Sequence, residues 1–314
     1  MRFCSHLPAV VLLSVLALSQ ESLSTHSPGT SSQSPSIPAD SAPVTLQPDA
    51  SGTVPPEQIR ALLLRAQDKD LQNDKQQRDY TYIERQEEHK LDARGNVAKT
   101  EIRTSEVLEI YGEQVEKLLS KDDKPLSPRE AEKEDEKIQK IIDKRKNESE
   151  GDRRKRLEKE EKAREEDRKF VLEVADAFNF RLVGSELVEG RDTWVLDAET
   201  RPGFEPKRRE AKILSKFRGR VWIDKAEAQW VKLDITAIDT IAFGVFLARI
   251  HKGTRVVVDM TKVNEEVWLP KYVEFRLDAR VALLKNYRED IEQTFRDYKK
   301  FRTDSKITVV GETQ

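Results

Sequence analysis

A single cysteine, Cys4, leaves the chain no partner for an intrachain disulfide and no cysteine-based metal site. Histidine is scarce too. Of the four histidines, His6 precedes the N-terminal apolar run, and His26, His89 and His251 share no metal-ligand spacing with one another. The sequence has no G-x-S-x-G elbow, no phosphate-cradling glycine loop and no H-E-x-x-H helix. Carboxylates are so abundant that a pair such as Asp234 and Asp239 carries no information by itself. Hydrolytic, phosphoryl-transfer and metal chemistry thus lack any sequence signal, which predicts a protein that is not an enzyme and uses no cofactor and no metal. Charge of one sign is also missing. The formal net charge is −2, with acids and bases interspersed, and this excludes the basic field that nucleic-acid binding requires.

What is present begins with a short apolar run. After Arg2, residues 7–18 are hydrophobic but too few to span a bilayer comfortably. Ala17 and Ser19 supply the small side chains that a signal peptidase reads. Residues 1–19 are therefore expected to be a secretory signal, with an uncleaved anchor as the alternative. Cys4 precedes the run, so it is not a lipidation cysteine. Residues 20–54 are rich in Ser, Pro and Thr and nearly free of large apolar groups, too few to offset chain entropy. They are expected to form a disordered leader or tether.

Residues 55–303 carry the folding signals, and 304–314 form a C-terminal tail. Pro55, Pro56 and Glu57 suit a helix start. Ile59, Leu62, Leu63 and Ala66 share one face of a short amphipathic helix that ends near Leu71. "DARGN" then marks a turn between two long strand-like runs, with Tyr80, Tyr82, Ile83, Val107, Leu108 and Ile110 as core candidates. Charged residues make up 36% of the chain, well above the ~25% usual for globular domains, and much of the excess lies in residues 127–169. Acids and bases three or four apart there favour an exposed helix, broken near Gly151. No apolar heptad is sustained. This segment is expected to be a solvated helical arm or an arm that docks a partner. Asn147 heads an N-E-S sequon, relevant only in a eukaryotic secretory pathway.

From Phe170 the pattern changes. Phe170, Val171, Val174, Ala177 and Phe178 form one helical stripe suited to covering a sheet. A series of alternating strands follows. The clearest is "YVEFRLDARVALL", in which Val273, Phe275, Leu277, Ala279, Val281 and Leu283 alternate with Glu274, Arg276, Asp278 and Arg280. Such alternation gives a long strand with one wet face, and the series implies an antiparallel meander. Residues 241–250 interrupt it with an apolar run that is either a buried strand, a short helix or a lid. The four tryptophans all fall in or beside strands, where rim and core packing outweighs sugar stacking.

The order of three short motifs carries a resemblance. Gly219, Trp222, Ile223 and Asp224 open the hairpin "KFRGRVWIDKAEAQWVKLDI". Trp268, Leu269 and Pro270 follow, and Asp297, Tyr298 and Phe301 close the series. In this order they resemble the LolA-type lipoprotein carriers over roughly the last third of the chain. The resemblance implies an α+β, mainly antiparallel fold: an open half β-barrel wrapped around a helix, with the long charged helical insertion added. It also implies a concave apolar face that accepts acyl chains, for which the candidates are Phe178, Val221, Ile223, Val231, Leu233, Ile235, Val273, Phe275, Leu277 and Val281. A secreted, periplasmic lipid or acylated-lipoprotein binder follows as the expected function, with outer-membrane association. The competing expectation is an envelope interaction protein with a filled core, whose charged arm docks an outer-membrane or other envelope protein. A cavity under residues 170–178 separates the two.

Overall fold

The computed structural model describes residues 45–300 apart from 112, 209, 244–247 and 282–284. The expected signal segment, most of the leader, Phe301 and the tail lie outside the described residues. Among those described, no helix is long and apolar enough to cross a membrane.

Helix α1 (Pro56–Gln77) starts where expected, with Pro56 in its first turn beside Glu57, and buries Ile59, Leu62 and Ala66. It runs past Leu71 because its last two turns have polar work. Asn73 Nδ2 donates to the carbonyl of Trp268 at 2.7 Å, and the Trp268 N–H donates to Asn73 Oδ1 at 2.7 Å. Gln77 Nε2 donates to the same carbonyl at 2.8 Å. Trp268 lies beyond the stretch of its strand that pairs with the next one, so these two side chains satisfy backbone groups that would otherwise be buried unpaired.

Strands β1 (Tyr80–Leu91) and β2 (Val97–Ile110) form the predicted hairpin. The short β3 (Glu113–Lys121) and β4 (Lys124–Pro125) extend it. The charged arm is then two helices, α2 (Pro128–Lys146) and α3 (Glu150–Ala177). No residue of α2 is buried. The break falls at Asn147–Ser149 and not at Gly151, because Ser149 caps the new helix by accepting the Asp152 N–H at 3.1 Å. Gly151 lies inside its first turn. Only the C-terminal part of α3 turns apolar, at Phe170, Ala175 and Ala177.

The remaining strands are β5 (Phe178–Val188), β6 (Arg191–Thr200), β7 (Phe217–Asp224), β8 (Trp230–Ala237), β9 (Ile241–Phe243), β10 (Ala248–Ile250), β11 (Arg255–Val263), β12 (Val267–Val281) and β13 (Lys285–Lys300). The apolar run 241–250 is therefore neither one strand nor a helix at its described ends. Its ends are two short antiparallel strands, of which β10 also pairs with β12. The described strands form one antiparallel sheet in the order β4-β3-β2-β1-β13-β12-β11-β8-β7-β6-β5, which does not close. Residues assigned by composition to the leader line its β5 edge. The Val54 N–H donates to the Phe180 carbonyl and the Leu182 N–H to that of Gly52, each at 2.8 Å, and Leu46 and Val54 are buried.

Cross-strand register shows which side chains share a face. One row runs Phe180, Ala198, Gly219, Ile235, Val256, Phe275, Ile291, Glu88. A second runs Leu196, Val221, Leu233, Val258, Val273, Gln293, Gln86. The first row is apolar from β5 through Ile291 of β13 and turns polar at Glu88 of β1; the second is apolar from β6 to β12 and turns polar at Gln293 and Gln86. The opposite face carries ion pairs such as Arg220–Asp197 (2.6 Å) and Arg255–Asp234 (2.6 Å). Helices α1 and α3 lie over the apolar half, and one core cluster joins Ile59, Leu62 and Phe170 to Val195, Leu196, Ile223 and Val258.

Candidate functional site

Between α1, the C-terminal part of α3 and strands β5 to β8 lies a partly open cavity of about 190 Å³. This exceeds the ~150 Å³ of an apolar cavity that admits benzene. Its cover comes from Leu63, Ala66 and Leu71 of α1 and from Phe170, Val171 and Val174 of α3. Its floor comes from the two rows described above. Gly219 belongs to that floor for a steric reason: a Cβ there would meet the Asp234 carbonyl oxygen at 3.3 Å and Ile235 Cγ1 at 3.5 Å.

Five of the ten residues singled out from sequence line this space: Phe178, Val221, Ile223, Leu233 and Ile235. Val231 does not. The β7–β8 register slips between Trp222 and Ile223, so that Trp222 pairs with Lys232 while Ile223 pairs with Trp230. Val231 is the extra residue of this bulge. It is fully buried in the core, and Trp230 lines the cavity in its place. Val273 and Phe275 share the floor's face and pack on the same core cluster from β12, outside the cavity wall. Leu277 packs on a separate cluster with Ile213, Ile241 and Ile250. Val281 stands half-buried at the end of β12, paired with Ala248 and Lys285.

The cavity is not wholly apolar. Asp70 and Gln67 of α1 and Asp167 of α3 also line it. Asp70 Oδ1 accepts from Trp230 Nε1 at 3.2 Å and from Gln229 Nε2 at 3.4 Å. Burial pushes the Asp70 carboxyl up to about 6, with the charges of Asp74 and Asp167 adding to the rise and the two hydrogen bonds opposing it. These polar residues were missed in the sequence. A signal existed: the apolar stripe Ile59–Leu62–Leu63–Ala66 reaches Asp70 one turn later, and a carboxylate on an apolar stripe asks for a reason.

The motif residues have structural work. Asp224 is buried and organises the β7–β8 turn: Oδ1 accepts from the N–H groups of Ala226 (3.0 Å) and Glu227 (2.8 Å), and Oδ2 accepts from Arg191 Nε at 2.7 Å. The Tyr298 hydroxyl donates to the Pro270 carbonyl, tying the last motif to the second. Away from the cavity, the polar half of the sheet buries Glu84. Burial pushes its carboxyl up to about 7, the charge of Glu116 raises it further, and a hydrogen bond from Gln293 Nε2 at 2.8 Å opposes both. Among the described residues no group of three or more His, Cys, Asp or Glu side chains is placed to hold a metal ion.

No protein-family model matches the sequence, and no curated protein matches it. Solved structures do show similarity, all at low identity. One is a LolA superfamily protein from Nitrosomonas europaea, 9% identical, with a TM-score of 0.29, over 78% of this chain and 94% of that one. Another is a putative outer membrane lipoprotein-sorting protein domain from Vibrio parahaemolyticus, 12% identical, with a TM-score of 0.30, over 79% and 95% of the two chains. A third is the MucA/MucB complex of Pseudomonas aeruginosa, 9% identical, with a TM-score of 0.21, over 78% and 99%.

Proposed function

We propose that the protein is a non-catalytic binder of a single apolar chain, the acyl chain of a lipid or of an acylated lipoprotein, working in the periplasm after export. The observation that carries this reading is the unfilled cavity between α1, α3 and the β5–β8 floor. A sheet face covered only for structural reasons would be packed to near-crystalline density. The export step rests on the N-terminal apolar run in the sequence.

Magnitude limits what the space can do as it stands. A cavity slightly larger than one that admits benzene holds about six to eight carbons of a chain. At ~0.8 kcal/mol per buried methylene this supplies about 5–6 kcal/mol, a dissociation constant on the order of 0.1 mM. Tighter binding requires the helices to part from the sheet and expose more floor. Titration with fluorescent acyl probes of increasing length tests this. Affinity should rise with each carbon and level off at about eight if the cover stays closed, or continue to rise if it parts. A wild-type protein that binds no probe of any length would sink the reading.

One observation favours the competing reading. Helix α2 has no buried residue, which suits an arm that meets a partner. In that case the core would be a scaffold, and apolar probes would not bind.

A further inference from the structure

We infer that the cavity selects its ligand by the head group as well as the chain, and that it takes a single-chain amphiphile whose head is a protonated amine, held against Asp70. This rests on the reading that the cavity takes an apolar chain. The argument concerns which head the polar end of the cavity can accept.

Three acceptor-bearing side chains converge there, Asp70 and Gln67 one turn apart on α1 and Asp167 across on α3. Both hydrogen bonds that Asp70 receives fall on Oδ1, and both are long, at 3.2 and 3.4 Å. Among the described residues none donates to Oδ2. Asp70 is half-buried and lines the cavity. Gln67 Oε1 is buried with no hydrogen-bond partner. Leaving a buried acceptor unpaired is unfavourable, and turning the Gln67 amide toward a donor in the cavity relieves it.

The sign of the charge is equally one-sided. Arg218 and Arg220 are the basic residues among those lining the cavity. Strand alternation points their side chains to the opposite face from Gly219 and Val221. Arg220 in fact donates to Asp197 there, at 2.6 Å. The charged side chains that face the cavity are thus acidic. A carboxylate or phosphate head would meet the Asp70 carboxyl, whereas an ammonium would meet complementary charge, with Asp70 Oδ2 as an acceptor for its N–H donors. Burial raises the Asp70 carboxyl, and the neighbouring charges that add to the rise, Asp74 and Asp167, are negative.

The test compares dodecylamine, dodecanol, dodecanoate and dodecyltrimethylammonium at about pH 7.5, by calorimetric titration below their micellar concentrations. Dodecylamine should bind on the order of tenfold tighter than dodecanoate, equivalent to about 1.4 kcal/mol. Dodecanol should fall between them. Dodecyltrimethylammonium, which is cationic but has no N–H donor, should bind more weakly than dodecylamine. Asp70→Asn should reduce the amine's advantage over the alcohol to within about twofold while leaving alcohol binding in place. That variant removes a carboxyl whose burial is costly, so it should fold, and its unfolding curve verifies this. Dodecanoate binding as tightly as the amine would overturn the head-group inference and leave the acyl-chain reading standing, as would an amine preference that survives Asp70→Asn. If none of the four binds, the head-group inference falls, and the acyl-chain reading falls with it when acyl probes of every length also fail.

Discussion

Filling the cavity separates a binding protein from a scaffold in one experiment. Ala66 projects from α1 into the space and is itself buried. The energetic cost of unfilled volume in a core is about 24 cal/mol per Å³. For a cavity of 190 Å³ this gives at most about 4.5 kcal/mol relative to a filled core, the opening to solvent reducing it. Ala66→Phe would fill about half of it and recover about 2 kcal/mol, less about 0.6 kcal/mol for the poorer helix propensity of phenylalanine. The expected result is a protein more stable by about 1–1.5 kcal/mol, with its melting temperature raised by about 2–6 °C, that has lost affinity for an acyl probe. Denaturant unfolding and probe titration on the same sample supply both readouts. A loss of about 1–3 kcal/mol, the usual cost of overpacking, together with unchanged probe binding would refute the argument, because the phenylalanine would then have entered a space already full.

Three further outcomes are expected. Asp70→Asn should stabilise the protein by about 2–3 kcal/mol near pH 7.5 and by little near pH 4. The reason is that the folded carboxyl, at about 6, binds its proton more tightly than the unfolded one at about 3.9, so stability falls as pH rises from about 4 to 6. Chemical unfolding at the two pH values checks this, and an equal effect at both would contradict it. Leu233→Ala, in the cavity wall, should weaken probe binding, whereas Phe275→Ala, outside the wall, should lower stability by a few kcal/mol with probe affinity kept; parallel titrations distinguish them. Replacing residues 129–162 with a short Gly/Ser linker should change stability by no more than about 0.5–1 kcal/mol. Extending the deletion to 169 should cost more, since it removes Asp167 from the cavity wall and the ion pairs Arg168–Asp68 and Arg208–Glu166; thermal melts of the two variants decide.

The fold was largely legible because alternation with period two is a strong local signal. Val273 to Val281 on β12 and the β1–β2 hairpin stand where their patterns placed them. The failures have physical causes. A bulge is a one-residue event with no composition signature, so strict alternation placed Val231 in the cavity wall and left Trp230 out. The extent of α1 depended on Asn73 and Gln77 bonding to Trp268, almost two hundred residues away in sequence, which no local pattern encodes. The cavity itself was only half legible. Its floor followed from strand faces, but its cover and its acidic end required knowing that α1 and α3 lie side by side. Helix faces alone showed that both had something to cover, not that they covered the same thing.

The two helices of the cover are held unequally, and this has a mechanical consequence. α1 is fastened to β12 by buried hydrogen bonds from Asn73 and Gln77, whereas α3 is held partly by the surface ion pairs Arg60–Asp176, Arg168–Asp68 and Arg208–Glu166. α3 is also a single helix of 28 residues, about 42 Å long, with the cavity wall in its final third and the rest in water. Its far end joins α2, which is itself held to β3 by the ion pairs Lys117–Asp135 and Lys121–Glu130. Phe170 and Val174 lie between the ion pairs at Glu166 and Arg168 and the one at Asp176, so the part of α3 that covers the cavity is clamped on both sides by surface charge. Because those clamps are ion pairs at the surface, the hold of this cover on the sheet weakens as ionic strength rises, while the buried hydrogen bonds of α1 do not.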